Sequence, residues 1–168
     1  MRHHRLIVLL TLTLAGAVSA SALAGPSIFA GVSLPTGDLA DGFKTGLHAG
    51  AAFTQPVTPM GSIGVRGAFN RFAAEDILVA DDGHLNMIEL LGIGKLTLPA
   101  GPYFVAGLGL TNWKVTLDDW SGDSETDFTV AAGVGYTLVK LQLEAMYHNI
   151  STEGESSAYI TASAGLAF

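Results

Sequence analysis

After residue 24, apolar and polar residues alternate one by one through most of this chain, which is the two-residue period of β-strands. The closing stretch Ser157–Phe168 (SAYITASAGLAF) shows the pattern most plainly. Ile160, Ala162, Ala164, Leu166 and Phe168 share one face, and Tyr159, Thr161, Ser163, Gly165 and Ala167 share the other. The first face is wholly apolar and the second small or polar. A soluble domain seldom ends on a dry strand that finishes in an aromatic. A strand whose outer face meets lipid, with an aromatic at the membrane boundary, has a physical reason to end that way.

The same alternation predicts seven earlier strands, at about 26–34, 45–54, 61–72, 84–98, 102–113, 127–138 and 141–150. Outward faces read Ile28-Ala30-Val32-Leu34, Leu47-Ala49-Ala51-Phe53, Ile63-Val65-Gly67-Phe69, Phe104-Ala106-Leu108-Leu110 and Phe128-Val130-Ala132-Val134-Tyr136. The stretch 84–98 alternates least cleanly, because Leu85, Met87, Leu91 and Ile93 share the face of Glu89. Strands of roughly 9–14 residues cover the 9–11 that a tilted strand needs to cross a bilayer. The connections alternate long and short, with polar stretches at 35–44, 73–83, 114–126 and 151–156 and tight turns between them. The expected architecture is all-β: an eight-stranded antiparallel up-and-down transmembrane β-barrel. Its long connections lie on one side and both termini on the other.

Charge sharpens this picture. Thirteen of the fifteen acids lie in or beside the four long connections, and only Glu89 and Glu144 lie within strands. A water-soluble barrel would carry charge outside and apolar residues inside. Here the face without charge is the most apolar one, so the outer face is expected in lipid. Residues 1–24 open with Arg2, His3, His4 and Arg5, continue through the apolar run Leu6–Leu14 and close on Ala22-Leu23-Ala24. That is the pattern of a secretory signal peptide cut after Ala24, leaving 25–168 as one barrel domain. The remainder has six basic and fifteen acidic side chains, a formal charge of −9, which argues against nucleic acid as a partner. It has no cysteine, so its fold alone must hold it together.

The signal peptide, the eight alternating strands and the terminal Phe168 resemble the small outer-membrane barrels of the OmpA transmembrane-domain and OmpX type. The resemblance spans 25–168 and rests on pattern, with no signature motif. It implies a monomer in the outer membrane of a Gram-negative-type bacterium, surrounded by outer-membrane lipid and lipopolysaccharide, with any extracellular ligand unspecified. It also implies that the terminal strand, through Ile160, Ala162, Ala164, Leu166 and Phe168, is the address read by the barrel-assembly machinery. The peptidoglycan-binding domain that follows the OmpA barrel has no counterpart after the last strand, so cell-wall anchoring is not expected.

Inward charges are the most informative chemistry. His48, Arg66, Glu89, Lys95, Glu144 and His148 are expected to form a polar network in the lumen. A 55–60 turn centred near Val57 would set Arg66 opposite His48, with Glu89 one diagonal step from Arg66 and Lys95 and Glu144 as the remaining pair. So narrow a barrel has room for side chains and little else, and charges inside it must be paired or wetted. Two readings stand: a plug that satisfies itself, or a narrow porin-like channel whose gate is Arg66 changing partners. A third, from another class, starts from His148, Ser151 and Glu153. It resembles the lipid A deacylases, but their His-x-Ser-Asn motif is not matched, because Asn149 and Ile150 follow His148. The run Asp118–Asp127 could offer oxygens to a divalent cation but lacks EF-hand spacing; no metal site, cofactor or catalytic residue is assigned. Trp113, Trp120, Tyr136 and Tyr147 are expected in the aromatic girdle. The reading overall is a non-enzymatic outer-membrane barrel with a structural or surface-interaction role through long acidic loops.

Overall fold

A computed structural model describes residues 25–74, 83–99, 101–117, 120–152 and 155–168. Residues 1–24, where a signal peptide is expected, lie outside the described residues. Among those described, eight long strands make the wall: β1 (Gly25–Thr36), β2 (Gly46–Pro56), β3 (Gly61–Ala73), β4 (His84–Thr97), β5 (Pro102–Leu117), β7 (Glu125–Leu138), β8 (Leu141–Thr152) and β9 (Glu155–Ala167). The two-residue strand β6 (Trp120–Ser121) pairs only with the end of β5. Each long strand is antiparallel to its neighbours. The order β4-β3-β2-β1-β9-β8-β7-β5 returns to β4 through a β4–β5 pairing, so the sheet has no free edge in its wall. The barrel closes between first and last strands, with Ala30 opposite Ala164 and Leu34 opposite Ile160.

The side-chain period sorts the residues as expected. Ile28, Leu47, Ile88, Leu90, Leu108, Val134 and Leu166 are exposed on the outer face. Phe72, Leu85, Met87, Leu91, Tyr103, Met146 and Tyr159 are buried inside. This inversion of ordinary globular polarity is stable only where the outside is itself apolar, as in a bilayer. The crowded inner face of β4 has its reason here, because Leu85, Met87, Leu91 and Ile93 supply both apolar clusters of the interior.

Two of the four expected long loops are shorter than the sequence suggests. The β5 strand runs on to Leu117, which pairs with Trp120, and Trp113 pairs with Glu125, so much of 114–126 is paired strand rather than open loop; 118 and 119 lie outside the described residues. The β8–β9 pairing continues to Ser151 opposite Ser156 and Thr152 opposite Glu155, so paired strand extends into the expected 151–156 loop, of which 153 and 154 lie outside the described residues. The 35–44 connection is not an open loop either. It forms a 3-10 helix, Gly37–Asp41, that turns Leu39 into the mouth of the barrel. Phe43 then bridges to Ala74, and the Lys44 amide donates to the Ala73 carbonyl at 2.8 Å.

Candidate functional site: the charged interior

The register between β2 and β3 decides which interior charges meet. Pairing continues to Pro56 opposite Ser62, so the turn occupies 57–61, two residues beyond the expected centre. The Val57 and Thr58 amides both donate to the Gly61 carbonyl, and the Gly61 amide donates to Thr58 Oγ1 at 2.7 Å. Arg66 therefore sits opposite Ala52, and His48 opposite Asn70, correcting the expected Arg66–His48 pairing. Glu89 lies opposite Ala68 and Leu91 opposite Arg66, so Glu89 is one diagonal step from Arg66, as expected.

The charges assemble into two nodes. The node nearer the termini joins β3, β4, β5 and β8. Arg66 Nη1 donates to Glu144 Oε1 at 2.5 Å, and both side chains are nearly buried. The Tyr103 hydroxyl donates to Glu144 Oε2 at 3.0 Å. Lys95 Nζ sits 3.6 Å from the Tyr103 ring centroid, and the Arg66 guanidinium carbon lies 3.8 Å from that of Phe29. Each cation thus has an aromatic face as well as a nearby carboxylate, the arrangement that makes desolvation tolerable. Lys95 and Glu144 were expected to pair; instead Arg66 takes the carboxylate and Lys95 takes the ring. Tyr103 fits because Gly135, on the facing strand, has no side chain: a Cβ there would overlap the Tyr103 ring.

The node nearer the long connections joins β4, β8 and β9. His148 Nδ1 lies 2.9 Å from Glu89 Oε2 and its Nε2 3.2 Å from Thr161 Oγ1. The Tyr159 hydroxyl donates to the same Glu89 oxygen at 3.0 Å. The His148 and Tyr159 rings stack at 4.5 Å, six degrees from parallel. His48 stands apart from both hydrogen-bonded groups, its ring tilted against Phe29 at 5.5 Å. Nearby, Ser33 donates to Asn70 at 2.8 Å, and Thr111 and Thr129 share a 2.7 Å hydrogen bond.

Apolar packing closes the barrel around these nodes. Leu39, Phe72, Leu85, Met87, Ile150 and Tyr159 form one cluster at the far mouth. Leu91, Ile93, Tyr103, Val105, Ala131 and Met146 form another at the level of the Arg66 node. A cavity of about 90 Å³ remains near the termini, lined by Arg66, Lys95, Tyr103, Gln142, Glu144 and Ser163 among others.

Sequence reasoning missed Tyr103, Tyr159 and Phe29 as members of the network. Their positions on the inward face, with two hydroxyls that burial obliges to find acceptors, were the available signal. One expected girdle residue does not face outward. Trp113 shares the parity of Thr111, packs against the far-mouth cluster and donates Nε1–H to Asp127 Oδ2 at 2.7 Å. Tyr136 and Tyr147 are exposed on the outer wall, and the Trp120 side chain lies outside the described residues. The face Ile160-Ala162-Ala164-Leu166-Phe168 is exposed on the outer wall. Ser151 is also exposed, on the face opposite to His148, so no nucleophile is set beside that base. Among the described residues no group of His, Asp or Glu is arranged to hold a metal ion; Asp118 and Asp119 lie outside them.

A closed eight-stranded antiparallel wall, apolar outside and bridged by charge inside, defines the fold of the small outer-membrane β-barrels. The chain is similar to Ail, the attachment invasion locus protein of Yersinia pestis, at 18% identity over 87% of this chain and 99% of that one, with a TM-score of 0.60. It is similar to the N-terminal β-barrel domain of Pseudomonas aeruginosa OprF at 19% identity (86% and 97% covered, TM-score 0.54). Neisserial surface protein A is similar at 17% identity (88% and 96% covered, TM-score 0.53). At these identities the likeness is one of fold. No protein-family model matches the sequence, and no curated protein does.

Proposed function

We propose that this chain is a non-enzymatic outer-membrane barrel whose interior is a plug and whose role, structural or adhesive, is exercised at its surface. The observation that carries this reading is the nearly buried Arg66–Glu144 bridge at the level of the apolar Leu91–Tyr103–Met146 cluster, whose Tyr103 donates to Glu144 and whose Leu91 lies opposite Arg66. A lumen in which Arg66 meets Glu144, Glu89 meets His148 and apolar side chains pack at the same level has little to offer a solute. Residues 1–24 would serve as the signal peptide. The outward face of β9 would serve as the address for barrel assembly, and the monomer would sit among outer-membrane lipid and lipopolysaccharide. One structure of Ail holds the heparin analogue sucrose octasulfate. The acids in the connections of this chain, such as Asp38, Asp123 and Glu125, disfavour such a polyanion at the loop tips.

A second reading, the narrow channel, is favoured by the cavity beside Arg66, where Arg66 Nε and Nη2 have no protein partner. Planar-bilayer conductance of the refolded barrel and its Arg66→Ala variant separates the two. Silence from both proteins, with folding shown by heat-dependent gel mobility, supports the plug. Discrete steps whose size changes with Arg66→Ala would replace it with the channel. The lipid A-modifying enzyme centred on His148 is disfavoured by the burial of that ring and by the outward turn of Ser151. Cells expressing the protein are expected to show unchanged lipid A mass, and a changed mass would restore the enzyme reading.

A further inference from the structure

The six basic side chains after residue 24 are Lys44, Arg66, Arg71, Lys95, Lys114 and Lys140. Arg66 and Lys95 are spent inside the barrel, and Lys140 lies in the tight β7–β8 turn at the end that holds the termini. The other three gather at the opposite end on one side of the barrel. Arg71 is exposed on the outer face of β3 and lies opposite Asn86 of β4, which in turn lies opposite Lys114, exposed on the outer face of β5. Two strand spacings place the Arg71 and Lys114 backbones roughly 10 Å apart, within the joint reach of two long side chains. Lys44 is exposed beside them, its amide bonded to the Ala73 carbonyl.

Immediately toward the membrane, the same strands become apolar on that face. Leu47, Phe69, Ile88 and Leu110 are 71, 44, 60 and 53% exposed. Across the barrel, β7, β8, β9 and β1 carry no Lys or Arg within their spans. Residues 25–168 carry a formal charge of −9, and against that background a one-sided cationic rim above an apolar wall is complementary to an amphiphile with anionic head and acyl tails.

We infer that Arg71 and Lys114 form a binding site for the phosphate of a phosphorylated glycolipid in the outer leaflet, whose acyl chains lie along Leu47, Phe69, Ile88 and Leu110. This rests on the reading above that the chain is an outer-membrane barrel with its long connections outward. Guanidinium and ammonium groups held at the headgroup level attract phosphate directly, and the screened attraction of each is a sizeable part of such affinity.

The test uses the refolded wild-type barrel, R71Q/K114Q and K140Q in zwitterionic micelles, with lipopolysaccharide or its lipid A-dephosphorylated form as probe. Binding is read by native mass spectrometry and titration calorimetry, with and without a chelator of divalent cations. Wild type and K140Q are expected to bind alike, and R71Q/K114Q at least tenfold more weakly, as the loss of two headgroup-level cations implies. Dephosphorylation should bring the wild type to the level of the double variant, and the chelator should change nothing. Equal binding of both probes, an equal loss in K140Q, or loss on chelation (ion bridging through the connection acids) would overturn the inference. Barrel formation is read separately from gel mobility, and orientation from labelling of Lys114 on whole cells. Failure of the underlying reading is therefore visible apart from failure of the site.

Discussion

Glu144 holds Arg66 Nη1 with one oxygen and the Tyr103 hydroxyl with the other, and Lys95 lies against the Tyr103 ring. Glu144→Gln keeps the shape and an acceptor but leaves two cations in one narrow layer with their nearest carboxylate gone. With charge centres about 4 Å apart and an effective dielectric near 20, the lost attraction is about 4 kcal/mol. That agrees with the about 3–5 kcal/mol usual for stranding one member of a buried pair. The expected loss is therefore about 3 kcal/mol, since the amide oxygen still accepts one hydrogen bond. Arg66→Gln/Glu144→Gln should recover most of it, giving a coupling energy of at least about 2 kcal/mol in the double-mutant cycle. Reversible urea unfolding of the barrel in phospholipid vesicles, followed by tryptophan fluorescence, measures all four proteins. Because the pair is buried, the coupling should hold at high salt. A coupling under about 1 kcal/mol, or one abolished by salt, would show that Glu144 and Arg66 are hydrated neighbours, and the plug argument would fail with it.

Two further outcomes are expected from the same measurement. Leu39→Ala removes the side chain that the 3-10 helix turns into the far mouth and should cost about 2–3 kcal/mol; in a Trp120→Phe background it should also make Trp113 more accessible to acrylamide, and unchanged quenching would show that this helix does not cover the mouth. Ala162→Arg places a charge on the outer face near the middle of β9 and should cost about 2–4 kcal/mol, whereas Ser151→Arg at the rim should cost no more than about 1 kcal/mol; equal costs would contradict a lipid-facing wall.

The wall was legible because a period of two cannot be mistaken for a helical one, and because lipid outside demands one uninterrupted apolar face. Every outward set read from the alternation, from Ile28-Ala30-Val32-Leu34 to Leu166 and Phe168, is outward in the structure. Partners inside the barrel were less legible, because they depend on register rather than on parity. Moving the β2–β3 turn by two residues moved Arg66 from His48 to Ala52, a displacement of four along β2. Nothing local to that turn announces its centre, since Pro56 and Pro59 are both turn residues in their own right. Pairs between non-adjacent strands, such as Arg66 with Glu144 and Glu89 with His148, follow only from closure of the barrel. The inward helix at 37–41 was masked by its polar neighbours, although Leu39 and Phe43 are conspicuous apolar residues in an otherwise polar stretch. Trp113 was misplaced by treating its residue type as stronger evidence than its parity.

The two nodes also constrain what a gate would require. Arg66 has Glu89 as its diagonal neighbour, so an exchange of partners from Glu144 to Glu89 is geometrically short. Yet Glu89 Oε2 already accepts from Tyr159 and meets His148, leaving only Oε1 without a protein partner. Rotation of Arg66 toward that oxygen would free Glu144 but would not open the lumen. Leu91, Ile93, Val105 and Met146 pack at the same level and are not displaced by an arginine changing rotamers. A conducting state therefore needs a rearrangement of apolar packing as well as an exchange of ion pairs. In a close-packed interior that is a much larger step than the exchange alone. For this reason the plug is the stronger reading even though the charges by themselves have the makings of a switch.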